Sequence, residues 1–290
     1  MAIRAQASRY ELLNRYQFKG RLVMQTALHI GGGRVTLRVS DSPVVLTPEE
    51  IPFIPGSSFK GALRSTVEKL VPDLPGLYSC GLIELSDEDI EERKKNGMRM
   101  CPTVRQRDVQ RQRRNASPEE QEKIKKEIYD TLCDTCQLFG SPFAASRINV
   151  SDLYMPEEEW SGIIQVRDGV VIDRDSEKAK DRLKYDFEVV PASATFNLEI
   201  TLENATPQDL QLICVGLSEF VHGFGVIGGK RSRGLGVCLL QDLRVSSLEL
   251  TGLSESDRNK RLRDYLLKRQ FSDEISGPAF LEKHIDAIFA

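Results

Sequence analysis

Residues 29–64 read HIGGGRVTLRVSDSPVVLTPEEIPFIPGSSFKGALR and hold the most constrained residues of the chain. The stretch opens on glycines, passes the carboxylate of Asp41 inside a Ser-Asp-Ser-Pro turn, and ends in Pro-Gly-Ser-Ser before a predicted helix. Glycines let a backbone approach a ligand closely, and N–H groups at a helix start attract anions. Each half alone is also typical of an ordinary turn or N-cap. The residues predicted to face phosphate groups are Gly31, Gly32, Ser57 and Ser58.

Apolar residues on both sides predict the elements that carry this stretch. Apolar side chains alternate up to residue 30 and predict a strand over residues 21–30, with His29 on the opposite face. Helical spacing over residues 56–70 predicts a helix with Ser57 or Ser58 as its N-cap. Lys60 and Arg64 share one flank of that helix and fit either a solvated surface or phosphate contact. For His29, a structural role and a catalytic or RNA-contacting role both stay open.

A second glycine-rich segment, residues 223–236, carries the cations Lys230, Arg231 and Arg233. Such a segment lets backbone amides and guanidinium groups approach phosphates closely. A mobile glycine-rich turn is the alternative interpretation. We favour RNA contact, because three cations on a tight glycine scaffold are costly to place without an anionic partner.

Residues 72–136 are a predicted insertion, polar and highly charged, with its clearest helix beginning at Pro118. Two cysteines separated by two residues, Cys133 and Cys136, can both reach one tetrahedral Zn²⁺, and two further cysteines would close a four-sulfur site. A thioredoxin-like redox role is less favoured, because no βαβ pattern surrounds the pair. The predicted ligands of this structural zinc are Cys80, Cys101, Cys133 and Cys136.

The remaining segments alternate between strand and helix patterns. Residues 194–202 and 235–245 predict strands, and a helix that Thr206 and Asp209 cap at its start lies between them. Residues 250–290 predict a helical C-terminal tail. The order of strands and helices predicts an α+β fold with a ferredoxin-like (RRM-like) core, and we expect a single domain over residues 1–290.

The composition limits the classes of protein to which the chain can belong. A formal net charge of −3 argues against a freestanding protein that grips nucleic acid by overall charge, so that RNA binding would need a local basic track. No signal peptide pattern is visible, and no apolar run approaches the roughly 20 residues that span a bilayer. We therefore expect a soluble, cytoplasmic protein with no membrane partner, in which six cysteines do not form structural disulfides.

Three motifs resemble the RAMP superfamily of CRISPR-associated proteins, specifically the repeated backbone subunit of type III effector complexes. The first joins His-Ile-Gly-Gly, Asp-Ser-Pro-Val and Ile-Pro-Gly-Ser-Ser-x-Lys-Gly-x-x-Arg within residues 29–64. The second joins Leu-Phe-Gly to Ser-Arg-Ile-Asn-Val-Ser-Asp within residues 138–152, and the third is the glycine-rich segment 223–236. The resemblance leaves out residues 72–132 and the tail.

The resemblance implies that residues 163–193 form the family's projecting β-hairpin, the thumb, which crosses the guide RNA. The residue pattern alone predicts a short strand at 170–172 and a charged loop at 173–182. In addition to the residues above, the expected RNA contacts are Arg147, Arg167 and Arg174.

By resemblance, the chain is expected to hold guide crRNA and to cleave complementary target RNA, with Asp41 in the family's catalytic position. Its other partners would be further effector subunits in a head-to-tail filament. A carboxylate can hold Mg²⁺ or another divalent ion, or assist attack by a ribose 2′-OH. Two alternatives stay open: a non-catalytic crRNA-binding scaffold with a silent Asp41, and a repeat-RNA processing endoribonuclease that uses His29 as general base.

Overall fold

The computed structural model describes residues 11–32, 40–172 and 179–290. It is a mixture of helices and antiparallel sheet. The main sheet has the strand order β10, β9, β1, β7, β3, with β8 paired to β9, and every pair is antiparallel. Its strands are β1 (Asn14–Met24), β3 (Ile148–Val150), β7 (Thr195–Glu203), β8 (Gly225–Val226), β9 (Val237–Glu249) and β10 (Asp273–Ser276).

Two smaller antiparallel pairs lie outside this sheet. The first joins β2 (Phe53–Ile54) to β4 (Leu153–Tyr154). The second is a hairpin of β5 (Gln165–Ile172) and β6 (Ala179–Val189), within the predicted thumb segment. Since β6 already begins at Ala179, the predicted charged loop over residues 173–182 was too long.

Eight α-helices are present in the described ranges: α1 (Gly56–Leu70), α2 (Asp87–Lys95), α3 (Gln106–Arg114), α4 (Pro118–Thr131), α5 (Asp134–Phe139), α6 (Pro207–Val221), α7 (Glu255–Lys268) and α8 (Gly277–Phe289). None of these helices combines the length and apolar character needed to cross a membrane.

The main core lies between the sheet and helices α1, α6 and α8. Phe18 and Ile200 face each other across β1 and β7 and are fully buried. Phe280 of α8 packs edge-on against Phe18, with ring centroids 5.7 Å apart. Gly216 lets α1 and α6 approach closely, because a Cβ there would lie 2.6 Å from a methyl group of Leu63.

The limits of the first strand differ from the prediction of residues 21–30. β1 begins at Asn14 and ends at Met24, and the pairing register between β1 and β9 shifts between Lys19 and Arg21. The extra residue of this bulge lies on β9, and β1 keeps its alternation of buried residues at Tyr16, Phe18, Leu22 and Met24. Gly20 occupies the inward position between Phe18 and Leu22 and has no side chain, which explains why the apolar pattern missed the first half of the strand. Beyond Met24 the chain leaves the regular strand, and Leu28 pairs with Val190 instead.

The start of α1 also differs from the prediction. The helix begins at Gly56 with Pro55 as its N-cap, so Ser57 and Ser58 lie in the first turn and cap nothing. Asp152 supplies the missing acceptor from a distant segment: its Oδ1 accepts a hydrogen bond of 2.7 Å from the Gly56 N–H. A Cβ at Gly56 would lie 2.2 Å from the Val150 carbonyl oxygen, so this approach requires glycine.

The insertion builds a small core of its own around Cys101, Val104, Leu132 and Cys133, separate from the main core. The predicted helix at Pro118 is present as α4. In the tail, the purely helical prediction was wrong in part, because β10 lies between α7 and α8 and extends the main sheet beside β9. Three of the four residues of β10 are polar, and Ile275 alone offers no apolar alternation from which a strand could be predicted.

Helix α6 begins as predicted, with a capping box between Thr206 and Asp209. The Asp209 carboxylate, whose residue is 2% exposed, also binds the Arg147 guanidinium at 2.5 Å. Arg147 additionally donates to the Tyr129 hydroxyl at 3.2 Å. The Asp209 carboxylate thus links the start of α6 to Arg147, which lies just before β3, and through Arg147 to the insertion.

Asp209→Ala removes both the cap acceptor and the partner of a largely buried cation. We expect the free energy of unfolding to fall by about 3–5 kcal/mol, the usual cost of leaving a buried charge unpaired. Urea denaturation measures this loss. Asp89→Ala is the matched control, since Asp89 makes the same type of capping box with Ser86 at the start of α2 but is exposed. Equal losses in the two variants would contradict the assignment.

Candidate functional site

Residues 185–188 of β6, here called the hairpin base, contact two segments that are distant in sequence. Tyr185 and Phe187 contact the cations of the second glycine-rich segment. Asp186 and Glu188 bind residues 40–44. Because side chains alternate along a strand, the hairpin base presents aromatic rings to one neighbour and carboxylates to the other.

Residues 40–44, which include Asp41, are fixed to the hairpin base by both main-chain and side-chain bonds. The Asp186 carboxylate oxygen Oδ1 accepts from the Asp41 N–H at 2.7 Å and from the Ser40 hydroxyl at 2.9 Å. The Glu188 N–H donates to the Ser42 carbonyl at 3.0 Å, and Glu188 Oε2 accepts from the Val44 N–H at 3.0 Å. Together these bonds hold residues 40–44 alongside β6, much as a neighbouring strand would be held.

The Asp41 side chain is exposed at the edge of this pairing. Its Oδ2 accepts from the Asp186 N–H at 3.2 Å, so each of the two aspartates binds the other's backbone N–H. Within the described ranges, Asp41 Oδ1 has no hydrogen-bond donor. A carboxylate that is fixed through one oxygen and open at the other is suited to hold a cation or to accept a proton.

His29 lies beside this pairing and is 6% exposed. The sequence correctly placed it away from the main core, but it is buried against the Phe187 ring, at 5.7 Å between centroids. Its Nδ1 donates to the Glu188 carbonyl oxygen at 2.7 Å, and its Nε2 lies 3.3 Å from the Ser42 hydroxyl. The Nδ1 bond leaves Nε2 as an acceptor that faces Ser42, and the burial of the ring keeps Nε2 away from a ribose hydroxyl, which favours a structural role over that of a general base.

The second glycine-rich segment meets the aromatic residues of the hairpin base. The Lys230 ammonium lies 4.3 Å from the Phe187 ring centroid and 5.3 Å from that of Tyr185. Arg233 stacks on the Tyr185 ring at 5.4 Å and donates a hydrogen bond to its hydroxyl. Arg231 is exposed, and its Nε donates to the Gly228 carbonyl at 3.0 Å. Cation–π contacts thus hold two positive side chains at the hairpin base.

The glycines of this segment allow it to pack directly on the chain around His29. The Gly229 N–H donates to the His29 carbonyl at 2.8 Å. A Cβ at Gly228 would lie 2.5 Å from that same oxygen, and Gly228 has a φ of +84°. The glycine at this position is required both by the left-handed backbone and by the close approach.

Lys60 and Arg64 are used within the protein. The Lys60 ammonium donates to the Ser146 hydroxyl at 2.7 Å and to the Ile148 carbonyl at 3.2 Å. Burial, and then the neighbouring Arg64, lower the pKa of Lys60. The Arg64 side chain, 15% exposed, binds Glu68 at 2.8 Å, the Gly140 carbonyl at 2.8 Å and a thiol of the insertion. RNA contact by either residue stays a prediction.

Burial acts to lower the pKa of the Arg64 guanidinium, but its bonds to Glu68 outweigh that effect and raise it. The same balance applies to Arg147, where the Asp209 charge outweighs burial and raises the pKa. Both side chains therefore stay positive, and their charges are largely compensated by the protein.

The other predicted RNA-contacting residues are dispersed. Gly31 forms an isolated bridge with Val44, and the Gly32 N–H donates to the Pro43 carbonyl at 3.0 Å. Ser57 is exposed and Ser58 half-buried. Arg167 is exposed on β5, and Arg174 lies outside the described residues. Contacts among the described residues join His29, Gly31 and Gly32 to residues 40–44, Lys230 and Arg233, but the hydrogen bonds, ion pairs and ring contacts found do not join this group to Lys60, Arg64 or Arg147.

The four predicted zinc ligands meet in the insertion. The sulfur atoms of Cys80, Cys101, Cys133 and Cys136 all lie within 4.8 Å of one another, and none of these cysteines forms a disulfide. The Cys80 and Cys136 sulfurs are 3.7 Å apart. With Zn–S bonds of about 2.3 Å, the edge of a tetrahedral site would be about 3.8 Å. The cluster could hold a metal such as zinc.

Groups around the cluster also fit thiolate ligands. The Arg64 guanidinium lies 3.4 Å from the Cys136 sulfur, and the Cys133 N–H donates to the Cys101 sulfur at 3.5 Å. The Thr103 hydroxyl is buried without an oxygen or nitrogen partner and lies beside Cys101 and Cys136. A positive charge and these donors would stabilise the negative charge of metal-bound sulfurs.

Sequence reasoning missed the hairpin base itself. Its residues are Tyr185, Asp186, Phe187 and Glu188. The alternation of aromatic rings and carboxylates at 185–188 was a signal for a strand with two dissimilar faces. Nothing in that pattern indicated which segments the two faces would contact.

Comparison with known proteins places these features in a family. A model of the RAMP superfamily matches residues 21–238. The CRISPR system Cms endoribonuclease Csm3 of Methanocaldococcus jannaschii is 23% identical over 291 residues, covering 93% of this chain and 93% of that protein. Proteins with the same name from Enterococcus italicus and Methanothermobacter thermautotrophicus are 41% identical over 68 residues and 35% identical over 75 residues. Those segments cover 22% and 24% of this chain, and 32% and 31% of the relatives.

Gly228→Ala should disrupt the packing of the glycine-rich segment on His29. Gly234→Ala is a matched control, because Gly234 also has a positive φ, +77°, but has open space where a Cβ would be added. We expect Gly234→Ala to cost about 1–2 kcal/mol, the strain of a left-handed alanine. Gly228→Ala adds a backbone clash and should cost clearly more. Urea denaturation measures both, and equal losses would contradict the close approach.

Proposed function

Because the chain belongs to the RAMP superfamily, we propose that it is a backbone subunit of a type III CRISPR ribonucleoprotein that holds guide crRNA and cleaves the paired target RNA at Asp41. The family match over residues 21–238 and the full-length similarity to an endoribonuclease named Csm3 support this proposal. Its expected partners are crRNA, target RNA and neighbouring effector subunits, and its expected location is the cytoplasm.

The observation that carries the proposal is the placement of Asp41. Its carboxylate is exposed on a segment that is hydrogen-bonded to the hairpin base. Lys230 and Arg233 pack on the other residues of the same base, where they would attract a phosphate backbone. Base pairing with the guide, and not these residues, would select the target sequence.

Asp41 would act on a target-strand phosphate next to an exposed ribose. In the proposed step, the 2′-oxygen forms a bond to phosphorus while the bond from phosphorus to the 5′-oxygen breaks. The 2′-OH proton leaves to a base, and the departing 5′-oxygen takes up a proton, giving a 2′,3′-cyclic phosphate and a 5′-OH. A divalent ion such as Mg²⁺, held by Asp41, would neutralise charge on the phosphate.

We also propose a ferredoxin-like core. The strand order β9, β1, β7, β3 and the helices α1 and α6 between strands support it, because they follow the β-α-β-β-α-β order of that fold. The insertion, the hairpin of β5 and β6, and the C-terminal tail would be additions to this core.

Zinc is the proposed occupant of the four-cysteine cluster. Four thiolates select Zn²⁺ over hard cations such as Mg²⁺, which prefer oxygen ligands. The cluster joins residues 80, 101, 133 and 136, and the insertion has a small apolar core. A bound zinc would therefore supply much of the stability of the insertion.

Asp41→Ala should abolish cleavage of target RNA without weakening its binding. The assay uses the assembled complex with end-labelled target RNA and Mg²⁺, and a filter-binding measurement of target affinity. Asp130→Asn, an exposed carboxylate on α4, is the control and should cut at the normal rate. Cutting by Asp41→Ala at the wild-type rate would reject the assigned catalyst. A wild-type complex that binds target but does not cut would favour the scaffold alternative.

Metal analysis tests the zinc proposal. We expect about one zinc per chain in purified protein, and loss of most of it in Cys133→Ser or Cys136→Ser. Cys214→Ala is the control, because Cys214 is buried in the main core, and burial there raises its thiol pKa. That variant should keep its zinc. Folded wild-type protein that contains no metal would contradict the proposal.

A further inference from the structure

We propose that Asp186 is a positioning residue for Asp41, so that the thumb strand β6 determines where the catalytic carboxylate lies. This inference rests on the proposed function. It adds a second residue to the cleavage site, one that acts through its hydrogen bonds and does not contact the RNA.

The first step concerns how Asp41 is held. The Asp186 carboxylate oxygen Oδ1 accepts from the Asp41 N–H at 2.7 Å and from the Ser40 hydroxyl at 2.9 Å. A single carboxylate therefore fixes the backbone on which Asp41 stands.

The second step concerns the Asp41 side chain. Its Oδ2 accepts from the Asp186 N–H at 3.2 Å, which fixes one oxygen and directs the carboxylate. The two aspartates are 145 residues apart in sequence. Movement of β6 would therefore change both the backbone position and the side-chain direction of Asp41.

The third step concerns the other contacts of the hairpin base. Tyr185 and Phe187, on either side of Asp186, contact Lys230 and Arg233. The strand that positions Asp41 is thus in contact with the cations that are proposed to hold phosphates. Strand β6 would therefore set the position of Asp41 relative to an RNA backbone that is bound by these cations.

Asp186 could instead act directly, as a second metal ligand or a proton acceptor. The two roles differ in what they require of residue 186. A positioning role needs only an oxygen that accepts hydrogen bonds, which asparagine supplies. A direct role needs the negative charge, which asparagine lacks.

The experiment compares three variants in the assembled complex with labelled target RNA and Mg²⁺. Asp186→Asn should cut within about threefold of wild type. Asp186→Ala should cut about 100-fold more slowly with unchanged target affinity, because misplacement by about 1 Å can cost that much. Ser40→Ala, which removes one of the two donors to Asp186, should give an intermediate rate.

Amide hydrogen exchange on the full-length subunit alone gives a second readout, independent of cleavage. We expect the amides of residues 41, 42 and 44 to exchange about tenfold or more faster in Asp186→Ala, and at the wild-type rate in Asp186→Asn. Amides of β7 serve as the internal control and should not change. If Asp186→Ala does not fold, Ser40→Ala and Asp186→Asn still decide the question.

Equal, large losses of cutting in Asp186→Asn and Asp186→Ala would overturn the positioning role and indicate a direct one. Wild-type cutting and exchange in Asp186→Ala and in Ser40→Ala would overturn it as well. Failure of the proposed function gives a different result, namely normal cutting by Asp41→Ala, whatever the Asp186 variants do.

Discussion

The candidate site depends on one clasp, the pairing of residues 40–44 with residues 186–188 of β6. Its bonds join backbone N–H groups to the carboxylates of Asp186 and Glu188, and a backbone N–H of β6 to the Ser42 carbonyl. On its other side the same strand segment presents Tyr185 and Phe187 to the glycine-rich segment. One short stretch of strand thus fixes the position of the exposed Asp41 carboxylate relative to the cations Lys230 and Arg233.

The remaining predicted cations differ from Lys230 and Arg233 in the partners that the protein gives them. Lys60, Arg64 and Arg147 belong to motifs that resemble the family, and the structure gives each of them acceptors within the chain. Arg64 also lies against the four-cysteine cluster. These residues connect α1, α6 and the insertion. Lys230 and Arg233, in contrast, contact aromatic rings. In the described part of the chain, neither forms an ion pair with a carboxylate.

The sequence predicted correctly those features that depend on residues close together in the chain. The Thr206 cap of α6 and the four-cysteine cluster follow from residue types at fixed spacings, and both are present. The start of β1 was missed because Gly20 stands at an inward position of the strand and contributes no apolar side chain to the alternation. The cap of α1 was missed because its acceptor, Asp152, comes from a segment 96 residues away. The hydrogen bonds between Asp41 and Asp186 could not be predicted for the same reason, since no spacing rule relates positions 145 residues apart.

The most direct test of this account is to locate the RNA on the protein. Guide RNA and target RNA, each labelled with 4-thiouridine in a separate sample, are crosslinked in the assembled complex, and mass spectrometry identifies the peptides that contact the labelled strand. The account predicts adducts in residues 185–188 and 229–233, with target-strand adducts near residues 40–44. Adducts confined to the opposite face of the sheet, on β1 at Arg15, Lys19 and Arg21, would contradict it.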